Sequence, residues 1–370
     1  MKNLVLRLIA MLLLLQSAET QALESAWTGF FPKNSGSPGP TPSFPLAIKR
    51  GRDGNVYVSG GAQITGGYDL FMIKCSASGI PLWTNYGGTT WVDVAPLAID
   101  ANNNVIVAVE GAGTIKYSSD GVLLWNNPIS NGIPYSIGID SGGAVFIAGA
   151  PGFVIKYSGS GVPLWTNNFD FQGSTLAQQL VIDANDDVLV SGGGGGFSGG
   201  TPMVLIKYSN NGIPLWTNTF IEDADGSASG GGLSIDQNGN VIVTSFSVAN
   251  NIEAFATLKY SSNGVPLWTN LFRGSLNNHQ LGYDYPGGQA VDGSGNVIVT
   301  GRSTGPNGYW DMTTIKYSSA GLPLWTNRLA TASGSSGFNV DVDKAGNVFV
   351  LGSSDTGQSL FIYSSAGQLL

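Results

Sequence analysis

Residues 233–272 read LSIDQNGNVIVTSFSVANNIEAFATLKYSSNGVPLWTNLF, and this stretch decides the fold. It falls into four short apolar runs: LSI, VIVTSF, ATLKY and VPLWTNLF. Asn238-Gly239-Asn240 separates the first two and Asn263-Gly264 the last two, and both are hairpin signals because Gly and Asn tolerate positive φ. VIVTSF is β-branched and apolar on both faces, so a strand here needs cover on both sides. No helical period with caps competes with the strand reading.

The same unit recurs along the chain. Its Asp-led turn starts at Asp53, Asp100, Asp140, Asp183, Asp236, Asp292 and Asp343, in steps of 47, 40, 43, 53, 56 and 51 residues. Its Lys-Tyr phrase falls at Lys74-Cys75, Lys116-Tyr117, Lys156-Tyr157, Lys207-Tyr208, Lys259-Tyr260, Lys316-Tyr317 and Ile362-Tyr363. Its Trp falls at Trp83, Trp125, Trp165, Trp216, Trp268 and Trp325. Periods of ~40–50 residues belong to propellers, solenoids or arrays. Seven copies of a four-stranded unit, apolar on both faces, predict an all-β fold: a single seven-bladed β-propeller over residues 23–370. The last copy stops at SSAGQLL, without its Trp strand. Residues 24–31, ESAWTGFF, match the missing strand in register, so Trp27 is expected to complete the last blade and close the ring.

The phrases DGNVYVSG, GYDLFMIKCSASG and the GG of NYGG resemble the bacterial seven-bladed β-propeller repeat family, the SBBP repeats. The resemblance covers nearly all of residues 24–370, with DxxGNVxVxG its specific part. The copies from Asp100 and Asp140 depart from it by a shortened segment before Ile-Lys-Tyr. The resemblance implies secreted or cell-surface bacterial proteins and brings no catalytic set with it.

Composition supports the fold and narrows the function. Of 370 residues 54 are Gly and 11% are charged, yet 42% are hydrophobic, which excludes disorder. Sixteen Lys and Arg face twenty-four acids, for a net charge of −8 and no basic run, so nucleic acid is not an expected partner. Residues 1–22 carry Lys2 and Arg7, an apolar stretch from Leu8 to Leu15 and a small-residue exit at Thr20-Gln21-Ala22. They read as a secretory signal peptide. The mature chain has no run long enough to span a bilayer, and it is expected to be an exported monomer, secreted or at the cell surface.

What all copies share is explained by the fold. The repeated Asp is expected to cap its turn, the repeated Trp to pack blade on blade, and the repeated Lys to lay its stem along a strand with its amine in water. Function is sought where the repeat breaks. The Asp-led and SSxG turns leave one face and hardly vary; the second-to-third loops and the links between copies leave the other and vary widely. Loops on a rigid scaffold are where binding resides. On that face stand Trp91, Asp93, Asp284, Tyr285, Tyr309, Trp310 and Asp311, aromatic rings beside carboxylates. Such sets suit a sugar, which stacks on the ring and gives its hydroxyl hydrogens to the acids. Tyr68-Asp69, His279 and Tyr283 share that face.

The expected function is a non-enzymatic binding module for a neutral carbohydrate or surface polymer, or for another surface protein. The alternatives are a glycan-active hydrolase or lyase working through Asp93, Asp284 and Asp311, and a purely structural surface protein. No cofactor is expected. Calcium is the one metal considered, at Asp223 and Asp225 in the acidic run 222–227, which supplies few of the six to eight oxygens that ion wants. A single histidine and no G-x-S-x-G elbow speak against nucleophilic catalysis. Cys75 stands at a repeated Tyr position and reads as an inert buried thiol.

Overall fold

Each copy of the repeat folds into the same antiparallel meander. A computed structural model describes residues 43–370 except 65–66, 88–91, 130–131, 170–175, 194–199, 224–225, 251, 276–283, 307 and 356. The leader, Trp27, Trp91, Asp225, His279 and Tyr283 lie outside the described residues. Those described form twenty-seven strands and no helix: six four-stranded sheets and one of three strands. The chain divides into two compact units, one ending at Phe169 and one running from Asp170 to Leu370. The first holds sheet 1 (residues 43–87), sheet 2 (97–127) and sheet 3 (133–168). The second holds sheet 4 (176–220), sheet 5 (227–272), sheet 6 (285–329) and sheet 7 (336–363).

In every sheet the strands pair in chain order, first to second to third to fourth. The second strands are buried almost throughout, as VIVAV at Val105–Val109 shows. Alternate residues of such a strand serve two cores, because successive side chains point to opposite faces. Val297 and Val299 join Ile242 and Phe255 of sheet 5, whereas Ile298 joins Val340, Val348 and Val350 of sheet 7. The fourth strands form the exposed margin, and a bulge between Lys and Tyr on the third strand sets their register. Pro opens most of them, at a sheet edge where its missing N–H costs nothing.

The repeated polar residues make a joint between neighbouring sheets. Asp100 Oδ1 accepts the backbone N–H groups of Asn102 and Asn104, which caps the turn. Its Oδ2 lies 2.9 Å from Lys116 Nζ. The same pair recurs in sheets 1 to 6, and in sheets 2 to 6 both side chains are mostly buried. The expectation that the Lys amines reach water is therefore corrected: the third strand sits inside the sheet, so the amine ends at the turn and not at the surface. Burial alone would raise the carboxyls of Asp100, Asp236 and Asp292. Hydrogen bonds from Lys and Asn outweigh it and hold them below the usual range.

Within each unit the joints also grip the next sheet. Lys259 Nζ and Trp268 Nε1 both donate to Ser319 O at 3.1 Å, and Asn270 Nδ2 donates to Gly321 O at 2.7 Å. Trp268 lies 6.1 Å from the ring of Tyr317 on that sheet. The pattern repeats from sheet 1 to 2, 2 to 3 and 6 to 7. The expected Trp packing is thus present, with an ordered hydrogen bond added. Cys75 occupies the matching Tyr position as a buried free cysteine, its thiol pushed up by burial.

Sheet 7 stops short. Beyond its third strand, Gly357–Tyr363, the chain makes one bridge, Tyr363 to Leu369, and Leu370 N donates to Ile362 O at 2.9 Å. These contacts begin a fourth strand against the third. Residues 24–31, expected to fill that edge, lie outside the described residues.

Candidate functional site

The antiparallel order sends the Asp-led and SSxG turns to one end of each sheet and the second-to-third loops to the other. In sheet 6 the variable end gathers five of the seven residues singled out from the sequence. Asp93, exposed between sheets 1 and 2, belongs to the first unit.

Tyr285 opens the first strand of sheet 6 and pairs with Arg302 on the second. Trp310 opens the third strand and pairs with Thr304, two residues on from Arg302. This register places the Arg302 guanidinium 4.5 Å from the Trp310 ring centre and 5.9 Å from that of Tyr285. The contacts are of cation–π type, worth ~0.5–1 kcal/mol each at exposed positions. Tyr285 leans on Phe246 of sheet 5 at 5.3 Å. Tyr285, Tyr309 and Trp310 are nonetheless 46%, 52% and 39% exposed. Three aromatic rings thus stand at the surface here, two of them against one cation.

The acids lie beneath the rings. Asp284 and Asp311 are each 2% exposed. Asp284 accepts the backbone N–H of Thr304 at 2.9 Å and that of Gly274, which fastens the link from sheet 5 to the second strand of sheet 6. Asp311 Oδ2 meets Arg328 Nε at 3.3 Å, and Arg328 also donates to Ser303 Oγ and Thr304 O. Burial raises both carboxyls; backbone donors oppose it at Asp284 and Arg328 opposes it at Asp311. Both acids support the loops that carry the rings.

A third carboxyl stands with them. Glu253, near the start of the third strand of sheet 5, is 6% exposed. Burial, with the charge of Asp284 adding to it, pushes its carboxyl up to about 7, against the backbone N–H of Asp284 and the charge of Arg302. Glu253 and Arg302 were not among the sequence candidates. Their signal was a break in the repeat: Arg302 follows VIVTG where the copy from Asp53 has Gly61 and the copy from Asp236 has Phe246.

The acidic run is divided among separate partners. Glu222 pairs with Arg273 and accepts from Ser247 Oγ, and Asp223 Oδ2 accepts from Asn250 Nδ2 at 3.2 Å. Asp225 lies outside the described residues. Among the described residues no three His, Cys, Asp or Glu side chains gather as a metal site. No helix among them is long and apolar enough to cross a membrane.

Comparison with known proteins gives the fold. No family model matches the chain, and no curated protein matches it. Among solved structures it is similar to BamB from Moraxella catarrhalis, at 13% identity and a TM-score of 0.52, covering 87% of this chain and 98% of that one. It is also similar to a protein of unknown function from Bacteroides caccae, at 12% identity and a TM-score of 0.40, covering 74% and 90%. The likeness to BamB, with the repeated antiparallel sheets, identifies the sheets as the blades of a β-propeller.

Proposed function

We propose that this chain is an exported, non-enzymatic binding module that takes a carbohydrate or surface polymer on the variable end of sheet 6. One observation carries the reading: Tyr285 and Trp310 stand exposed on either side of Arg302, at the end of the sheet where the repeat breaks. A sugar ring stacked there would cover apolar ring faces that are now in water, and aromatic contact area is the largest payload a small site offers. Tyr309 widens the platform. Asp284 and Asp311 hold the platform's loops. Trp91 and Asp93, in the first unit, are proposed as a second contact region for the same class of ligand.

The rest of the proposal follows the repeat. The units belong with the SBBP type of bacterial propeller repeat. Residues 24–31 supply the fourth strand that sheet 7 lacks, with Trp27 in the place of the other repeated Trp residues. Residues 1–22 direct export.

A glycan array on the mature protein tests the binding reading. A positive array should be followed by loss of binding in Trp310→Ala with the melting temperature unchanged. Trp216→Ala, in a joint, should lower the melting temperature instead. A blank array together with a destabilised Trp310→Ala would make Trp310 a blade cap and end the reading.

A further inference from the structure

Among the described residues, cations that are buried or half-buried come with acceptors. Lys74, Lys116, Lys156, Lys207, Lys259 and Lys316 each meet a carboxylate, Arg273 meets Glu222, and Arg328 meets Asp311. Arg302 differs. Its Nε is buried and has no hydrogen-bond partner among the described residues, and its guanidinium makes no ion pair with any of them. The nearby acids are committed elsewhere: Asp284 to Gly274 and Thr304, Asp311 to Arg328, and Glu253, which feels the charge of Arg302 without forming an ion pair with it, to the backbone N–H of Asp284. What Arg302 does touch is two ring faces, at 4.5 and 5.9 Å. A buried donor left unmade costs ~1–3 kcal/mol, and more when it is charged, so an acceptor brought by a ligand would be stabilising beside Arg302.

We propose that Arg302 receives the carboxylate of an acidic saccharide whose pyranose ring lies on Trp310 and Tyr285. The inference rests on the carbohydrate reading above and names its ligand class. A guanidinium edge offers two parallel N–H donors that match the two oxygens of a carboxylate, and its plane is already fixed by the rings. Among the described residues here one cation is open, because Arg273 and Arg328 are taken. One open cation suits a singly charged carboxylate better than a doubly charged phosphate. The net charge of −8 favours neutral polymers over the surface at large. That field is screened beyond ~8–10 Å at physiological salt, so the single Arg302 governs at contact.

The test is calorimetric titration of the mature protein with trisaccharides of galacturonate, glucuronate and mannuronate, each beside its methyl ester and its neutral parent sugar. At least one acid should bind at least about tenfold tighter than its ester, with a preference that shrinks as salt rises. Arg302→Gln should erase the preference, and Arg302→Lys should recover only part of it, since a point charge lacks the fork. Neither variant should change the melting temperature by more than a degree or two at pH 5, where Glu253 keeps its proton, because the side chain's other described contacts are two half-exposed rings. Trp310→Ala should weaken acid and ester alike. Equal binding of acid, ester and parent sugar, unaltered in Arg302→Gln, overturns the carboxylate while leaving a carbohydrate site. Acid preference that persists in Arg302→Gln also overturns it. No binding by any probe overturns the inference and removes its support from the carbohydrate reading.

Discussion

Replacing Gly321 by Ala tests the joint between sheets with a control built into the same unit. Gly321 has φ of +85°, and an added Cβ would sit 2.8 Å from Cγ and Cδ2 of Trp268. Gly239 has φ of +76°, and its added Cβ would meet nothing closer than Ser262 Cβ at 3.7 Å. Both substitutions force an L side chain into the left-handed region, at ~1–2 kcal/mol. Only Gly321→Ala must also move an indole. To reach ordinary contact near 3.4 Å the ring has to retreat by about 0.6 Å, which strains its 3.1 Å bond to Ser319 O. That bond contributes ~1 kcal/mol net, and overpacking of this kind costs ~1–3 kcal/mol. Gly321→Ala should therefore lose about 2 kcal/mol more than Gly239→Ala in urea denaturation. In a Trp268→Ala background the two glycine variants should cost the same, since the ring they differ over is gone. Equal losses in the native background, or a gap that survives Trp268→Ala, would mean that the indole does not bear on the turn and that the joint is not built as described.

Two more perturbations reach other parts of the structure. Burial raises Glu253 from 4.5 to about 7, so the folded protein keeps a proton that the unfolded chain has lost. The stability this gives is whole below about pH 4.5, falls as pH rises and is gone above 7, a change of about 3 kcal/mol at ~1.4 kcal/mol per pH unit. Asp284 and Arg302 face the same carboxyl, so pH titration of the difference between wild type and Glu253→Gln isolates it. The variants should match near pH 4 and Glu253→Gln should be the more stable at pH 9; identical curves would place the carboxyl in water. Deleting residues 23–31 should lower the melting temperature and promote association through the open edge of sheet 7, as size-exclusion chromatography would show, because an uncovered strand recruits another chain. A deletion that stays monomeric and melts as wild type would assign that edge another cover.

Much of the architecture was legible because the repeat states it seven times. Turn residues, strand lengths and the order of pairing follow from copies such as the one at 233–272. The joint was legible only in part. Asp and Lys recur some twenty residues apart, but periodicity does not say that they meet. Their meeting depends on the third strand lying inside the sheet, which is a fact of packing. The candidate site divides along the same line. Exposed Tyr285, Tyr309 and Trp310 could be picked out because they leave the Trp register. The break in the repeat at Arg302 and the charge of Glu253 did not single these two out, because an isolated charge on a strand reads as a solvated residue until its burial is known. Asp284 and Asp311 were found for their chemistry, and their burial gives them a supporting place under the rings.

The joint has a direction. Within each unit, a copy with a fourth strand carries a plug on it, the repeated Trp and the Asn two residues on, and the plug enters a socket on the SSxG hairpin of the next copy. A duplicated copy would therefore arrive with both halves of the fastening and could be spliced between two others without a mismatched seam. The loops at the other end of the sheet form no part of this fastening. They were free to diverge one at a time, and a lineage that grew by copying whole units could keep its assembly unchanged while each new unit acquired its own surface.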